Sequence, residues 1–358
     1  MMVGQGLFSG LRGKTECDER AAMQFMGRCV HIYITLFVSL VSLSAAVAQN
    51  VGEIQATIAG NHLYIPLRIN GQNARPWLVD TGAFPCVISE GEANRLKLEA
   101  PAADSKLPGS LSSEGKQHRV VIASDLSCGT MSFGKVPMVV FTRGGPADYL
   151  NQPRNSAGES IGIGHIREFR NEFLSGGILG LGLLSQYGAV INYTNGQIFF
   201  SVHGGALPVQ RQNYERMGYS YVPLEVRNNR RLEVVGTIGG SKYSFVIDTG
   251  AAHTALFDQI RVKQHVPAFL SSTRMVGGFH NFKNQGLWVG RVPGFRLGNQ
   301  DVSDTSVAFG QMYAPEHGLS HPFAGFIGPD ILAEHSAIID IGHRALYLKP
   351  NGKRAVHP

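Results

Sequence analysis

Trp77-Leu78-Val79-Asp80-Thr81-Gly82-Ala83 returns 168 positions later as Phe245-Val246-Ile247-Asp248-Thr249-Gly250-Ala251. In each copy three apolar residues lead into an aspartate, and Thr-Gly follows at once, the pattern of a buried strand that ends on a carboxyl at a tight turn. The similarity extends in both directions. Leu63 to Gly71 precedes the first copy and Leu232 to Gly240 the second, with Asn70-Gly71 and Gly239-Gly240 as turns. Downstream, Gly177-Ile178-Leu179-Gly180-Leu181 is answered by Gly325-Phe326-Ile327-Gly328-Pro329. A hairpin is then expected around Asn195-Gly196, flanked by 189–193 and 197–200, and another around Gly342-His343-Arg344, flanked by 337–341 and 345–348. Duplication on this scale predicts two related lobes, 49–202 and 219–358, joined by a polar linker over 203–218. The stretch 143–174, rich in Gly, Asn and Pro, has no counterpart in the second half and is expected to be an inserted surface loop.

Two lobes related by an approximate two-fold axis would bring the two Asp-Thr-Gly loops together. Two carboxyls a few ångströms apart do not ionise independently and share one proton over a wide pH range. One member then acts as base on a water and the other donates to the carbonyl oxygen under attack. Glycine permits the tight turn, and each threonine hydroxyl can bond across to the backbone of the other loop.

The rest of the sequence narrows the class. With 358 residues, 43% of them hydrophobic, the chain has enough apolar surface for two domains, and 44 glycines and 17 prolines between Val-, Ile-, Leu- and Phe-rich runs predict a mostly β fold. Residues 1–48 have the form of a signal peptide: Arg28, an apolar run from Ile32 to Leu43 too short to span a bilayer, then Ala46-Val47-Ala48. Residues 1–22 do not fit such a leader, which makes Met23 or Met26 alternative starts. Cleavage after Ala48 predicts a periplasmic or secreted protein with no membrane anchor, 28 basic and 23 acidic residues, and Cys86 and Cys128 as its cysteines. In an oxidising compartment these fit one disulfide, the alternative being two buried free thiols. The basic cluster at 227–231 reads as a hairpin turn, so no nucleic-acid partner is expected. No His-x-x-x-His or Cys-x-x-Cys spacing occurs among the 13 histidines and four cysteines, so neither metal nor cofactor is expected. Gly158-Glu159-Ser160-Ile161-Gly162 matches the serine-hydrolase pattern, but its polar, glycine-rich setting lacks the strand such a nucleophile follows.

The two Asp-Thr-Gly-Ala motifs and the two apolar-apolar-Gly motifs, duplicated in the same order, resemble the pepsin and retropepsin superfamily of aspartic peptidases. Within it, the chain looks most like bacterial periplasmic proteins with two retropepsin-like halves. The resemblance covers 54–350 and implies a bilobal fold of two β-barrel-like lobes with a cleft between them. It implies an endopeptidase acting on polypeptides, with Asp80 and Asp248 catalytic and Thr81, Gly82, Ala83, Thr249, Gly250 and Ala251 supporting their loops. Gly180 and Gly328 would lie on strands threading beside those loops. A flap is expected at Gly277-Gly278-Phe279, with 109–115 as its first-half counterpart, although 107–122 lacks the tyrosine that pepsin-like flaps carry. A duplicated chain completes its own site, so a monomer is expected. Alanine stands at 83 and 251, where pepsin-like enzymes have a hydroxyl that favours the charged carboxylate, which predicts activity at roughly pH 4 to 6.5. The competing reading is a catalytically silent protease-like fold that binds peptides or a partner protein.

Overall fold

The computed structural model describes residues 50–113, 116–141, 176–228, 230–271, 287–310 and 323–350. The chain divides into two units, 1–51 and 52–358, and the second holds nearly all of the described residues. The expected leader, the 143–174 insert with Ser160, and Gly277-Gly278-Phe279 all lie outside the described residues. No described helix is long and apolar enough to cross a membrane.

The fold is mostly β. Among the described residues the strands form two large sheets, of ten and fifteen strands. The first is built from strands between Thr57 and Gly180, and the second carries the strands from Ser220 onward. The sheets are not divided where the sequence repeat divides. The hairpin Val190–Asn192 and Gln197–Ser201 leaves the first half and pairs antiparallel with Ile338–Asp340, matching Val190 to Asp340 and Asn192 to Ile338. Each half's closing hairpin therefore completes a shared sheet instead of its own. Among the described residues neither sheet closes into a barrel, which corrects the expected barrel-like lobes: the strands that would close the first sheet are committed to the second.

What positions the motifs is burial. Trp77, Val79, Phe245 and Ile247 are fully buried, and burying each aliphatic or Phe side chain contributes roughly 1.5–3 kcal/mol. Side chains alternate across a strand, yet all four residues of Trp77–Asp80 are buried because this strand is covered on both faces. Gly177–Gly180 runs parallel to it, with Gly180 opposite Asp80. Gly325–Ile327 likewise runs parallel to the end of Ser241–Ile247, and Asp248 N–H donates to the Ile327 carbonyl at 3.0 Å. A six-residue helix follows each, Leu181–Gln186 and Pro329–Glu334. The polar linker contains a helix of its own, Arg211–Arg216, whose Tyr214 ring packs on Tyr219 and Tyr347.

The expected bridge between Cys86 and Cys128 is absent: both are buried free thiols. Their register explains it. Cys86 lies opposite Met138 and Cys128 opposite Met131 on the same long strand, Met131–Phe141. Seven residues of strand at ~3.3 Å each place them on the order of 20 Å apart, where a disulfide needs Cα atoms within about 7 Å. Burial pushes both thiols up to about 11.

Candidate active site

Each catalytic-loop candidate begins where a buried strand runs out. Thr81 and Thr249, both fully buried, lock the loops to each other. Thr81 Oγ1 donates to the Ile247 carbonyl at 2.7 Å, and Thr249 Oγ1 donates to the Val79 carbonyl at 2.7 Å. Each hydroxyl also accepts the other's backbone N–H, Thr81 N to Thr249 Oγ1 at 3.0 Å and Thr249 N to Thr81 Oγ1 at 3.1 Å. A threonine supplies one donor and two acceptor positions, so one residue type in both copies satisfies four buried groups reciprocally.

Asp80 and Asp248 meet above this lock and hydrogen-bond to one another. Each carboxyl lies against the glycine of the opposite copy. A Cβ built on Gly82 would sit 2.6 Å from Asp248 Oδ2, and one on Gly250 would sit 2.7 Å from Asp80 Oδ1. Glycine is required here for close approach as well as for the turn. Backbone N–H groups hold the carboxyls from below: Gly82 N and Ala83 N donate to Asp80 Oδ1 at 2.7 and 3.1 Å, and Gly250 N donates to Asp248 Oδ1 at 3.1 Å.

Burial raises both carboxyls above the ordinary value of 3.8, and Asp248 well above it. For Asp248 the charge of Asp80 and the hydrogen bond between them add to the rise. For Asp80 the rise is opposed by the Gly82 N–H, by Asp248, by the Ala83 N–H and by His62 nearby. The environments push the two apart, with Asp80 the more readily charged member.

Gly180 and Gly328 lie beside the loops at closest packing. A Cβ on Gly180 would meet the Pro85 backbone, with the Pro85 carbonyl carbon at 2.7 Å, and one on Gly328 would meet the His253 and Thr254 backbone. Ala83 and Ala251 end their loops without a hydroxyl, as read from the sequence, and Ala83 is buried. The first-half flap region forms the hairpin Ser110–Ser113 with Lys116–Cys128, pairing Ser113 with Lys116; its tip, 114–115, lies outside the described residues. Among the described residues no group of three or more His, Cys, Asp or Glu is arranged to hold a metal ion.

Two residues the sequence reading did not assign belong to this neighbourhood. Asp330 accepts from Thr254 N–H at 2.9 and 2.8 Å, from Thr254 Oγ1 at 2.6 Å and from Ile331 N–H at 2.8 Å, bracing the strand that leaves the second loop. It falls where the first half has Gly182, so the repeat itself conceals it. His62 stands in the first half, yet its ring reaches the Ala251 carbonyl, 189 positions away, at 3.0 Å. His253, two residues beyond the second motif, is a half-exposed loop residue with Nδ1 3.9 Å from Asp330 Oδ2.

Residues 65–154 match the family model described as aspartyl protease. No curated protein sequence matches the chain. Among solved structures it is similar to a retropepsin-like aspartic protease from Rickettsia conorii, 18% identical, covering 42% of this chain and 91% of that one at a TM-score of 0.27. It is also similar to aspartic proteinase from Irpex lacteus, 14% identical over 86% and 99% of the two chains at 0.46. Basic 7S globulin from soybean is 12% identical over 84% and 95% at 0.40. The family match over 65–154 falls on the first of the two duplicated halves from which the resemblance to aspartic proteases was read.

Proposed function

We propose that the chain is an aspartic endopeptidase in which Asp80 and Asp248 share one proton and activate a water between them. The observation that carries this reading is the carboxyl pair itself: two aspartates from the two repeats, hydrogen-bonded together, each seated on the other's glycine. Asp80, held by two backbone N–H groups, takes the proton of the water as it attacks the peptide carbonyl. Asp248 donates its proton to the carbonyl oxygen, giving a neutral tetrahedral intermediate; collapse of that intermediate returns a proton to the leaving amine. No covalent enzyme intermediate forms. Burial of the raised carboxyls holds the shared proton to higher pH than an ordinary carboxyl would. A cleaved leader over 1–48 would place this work outside the cytoplasm.

Cleavage of a denatured protein across pH 3 to 8 by wild type, Asp80→Asn and Asp248→Asn tests this. Each variant is expected to fold and to lose activity by at least ~10³-fold, because one carboxyl cannot serve as base and acid in the same step. A folded wild type that cleaves nothing would leave the silent, peptide-binding reading in its place, and near wild-type cleavage by either variant would show that the activity does not depend on this carboxyl pair.

A further inference from the structure

His62 opens the strand His62–Ile65. Its Nδ1 lies 3.0 Å from the Gly60 carbonyl and its Nε2 lies 3.0 Å from the Ala251 carbonyl, at the end of the second Asp-Thr-Gly-Ala loop. A neutral imidazole has one N–H and one lone pair. It can donate to one of these carbonyls, and it then points a lone pair at the oxygen of the other. The imidazolium, with two N–H groups, satisfies both. The ring also lies within electrostatic reach of Asp80, so its charge bears on the dyad directly.

We propose that His62 is a positioning residue of the dyad: as imidazolium it ties the first half to the second catalytic loop at Ala251 and biases the shared proton toward Asp248, making Asp80 the base. This rests on the peptidase reading. Of the charged groups described, Asp80 lies within electrostatic reach of the ring. The neighbouring strand Thr57–Ala59, which sets Ala59 opposite His62, brings no titratable group. Tyr64 on the same strand, 6.4 Å between ring centroids, is pushed up to about 12 by burial and stays neutral. The second loop presents the backbone of Gly250 and Ala251, with Asp248 behind it, and His253 beyond it sits by Asp330.

Burial of the ring holds His62 below its ordinary 6.5, against the raising influence of the two carbonyls and Asp80. Lower pH favours the charged ring and higher pH the neutral one. Its charge stabilises the singly ionised dyad where that species first forms, at the acid limb, and does little at the alkaline limb. A purely structural histidine would scale the whole profile without moving one limb.

The test is the pH profile of kcat/KM for the full chain on a denatured protein, comparing wild type, His62→Gln and His62→Lys. His62→Gln is expected to move the acid limb up by roughly half a pH unit or more while the alkaline limb stays. His62→Lys, charged throughout, is expected to hold the acid limb and lower the alkaline one. An unchanged His62→Gln profile, or equal movement of both limbs, overturns the proposal. A second measurement does not need activity: two-bond ¹H–¹⁵N correlation of the imidazole between pH 4 and 8, in wild type and Asp80→Asn. Both ring nitrogens are expected to be protonated at the acid end, with a midpoint that falls in Asp80→Asn. A single N–H persisting to pH 4, or a midpoint indifferent to Asp80→Asn, overturns it as well. If no peptide is cleaved at any pH, the peptidase reading fails while the imidazole titration still decides the role of His62.

Discussion

The two halves repeat the same motif but brace it differently. In the first, the chain leaving the Asp-Thr-Gly loop passes through Cys86, buried, with Gly182 at the start of the following helix. In the second, the same positions are Thr254 and Asp330, joined by a cluster of hydrogen bonds that also includes Gly328 N–H to Thr254 Oγ1 at 2.9 Å. Ahead of the motifs the contrast reverses. Strand pairing sets Tyr64 opposite Leu78 and Glu233 opposite Val246, which makes His62 and Arg231 counterparts. His62 reaches across to the second loop, whereas Arg231 stays within its own half, 3.0 Å from Glu233 and 5.0 Å over the Phe323 ring. A duplicated chain thus keeps symmetry where the carboxyls and threonines need it and abandons it in the supports. Among the described residues the asymmetry sets a titratable imidazole near Asp80.

The sharpest way to break the comparison is at its most symmetric point. Gly82→Ala and Gly250→Ala each drive a methyl into the opposite carboxyl. Displacements of this size cost about 10²-fold in rate, so both variants are expected to lose at least that much in kcat/KM, and by similar amounts. A large difference between them would show that one carboxyl can move aside without cost.

The supports should differ where the glycines agree. Asp330→Ala removes several hydrogen bonds to a mostly buried carboxylate and is expected to lower unfolding stability by about 2–4 kcal/mol in urea melts, since charged hydrogen bonds contribute about 1.5–3 kcal/mol each and partial solvation returns some of that. Cys86→Ala at the matching first-half position deletes one buried sulfur and is expected to cost about 1 kcal/mol. Equal losses would mean that the second half does not depend on its polar brace.

A smaller effect separates the two aspartates by pH. Both carboxyls are raised on folding, so the folded chain binds more protons than the unfolded one between 3.8 and the raised values. Their contribution to stability is therefore present at low pH and lost as pH rises through that window. Asp248→Asn is expected to flatten this downward slope more than Asp80→Asn, because Asp248 is the more strongly raised. Melts at pH 4 and pH 7 on the three proteins check it, and a steeper slope in Asp248→Asn would contradict it. Least of all should happen at the cysteines. Reductant is expected to leave the melting temperature unchanged, and two thiols should react in the unfolded mature chain without prior reduction.

Much of this was legible in the sequence because the deciding signals are local. Three apolar residues, Asp, Thr and Gly specify a buried strand that stops on a carboxyl, and the copy 168 positions on identifies its partner without any coordinates. The closing hairpins and the mostly β class follow from alternation and turn residues in the same way. What the tertiary structure alone decided concerns residues whose neighbours are distant in the chain. Cys86 and Cys128 look like a pair until strand register sets them opposite residues seven positions apart on the strand between them. The hairpins at 190–201 and 338–348 read as the ends of separate lobes, and pairing turns them into one sheet. Nothing around His62 in the sequence marks it, because its partners, Asp80 and the Ala251 carbonyl, come to it through the chain fold. Periodicity records which residues are buried; only packing records against whom.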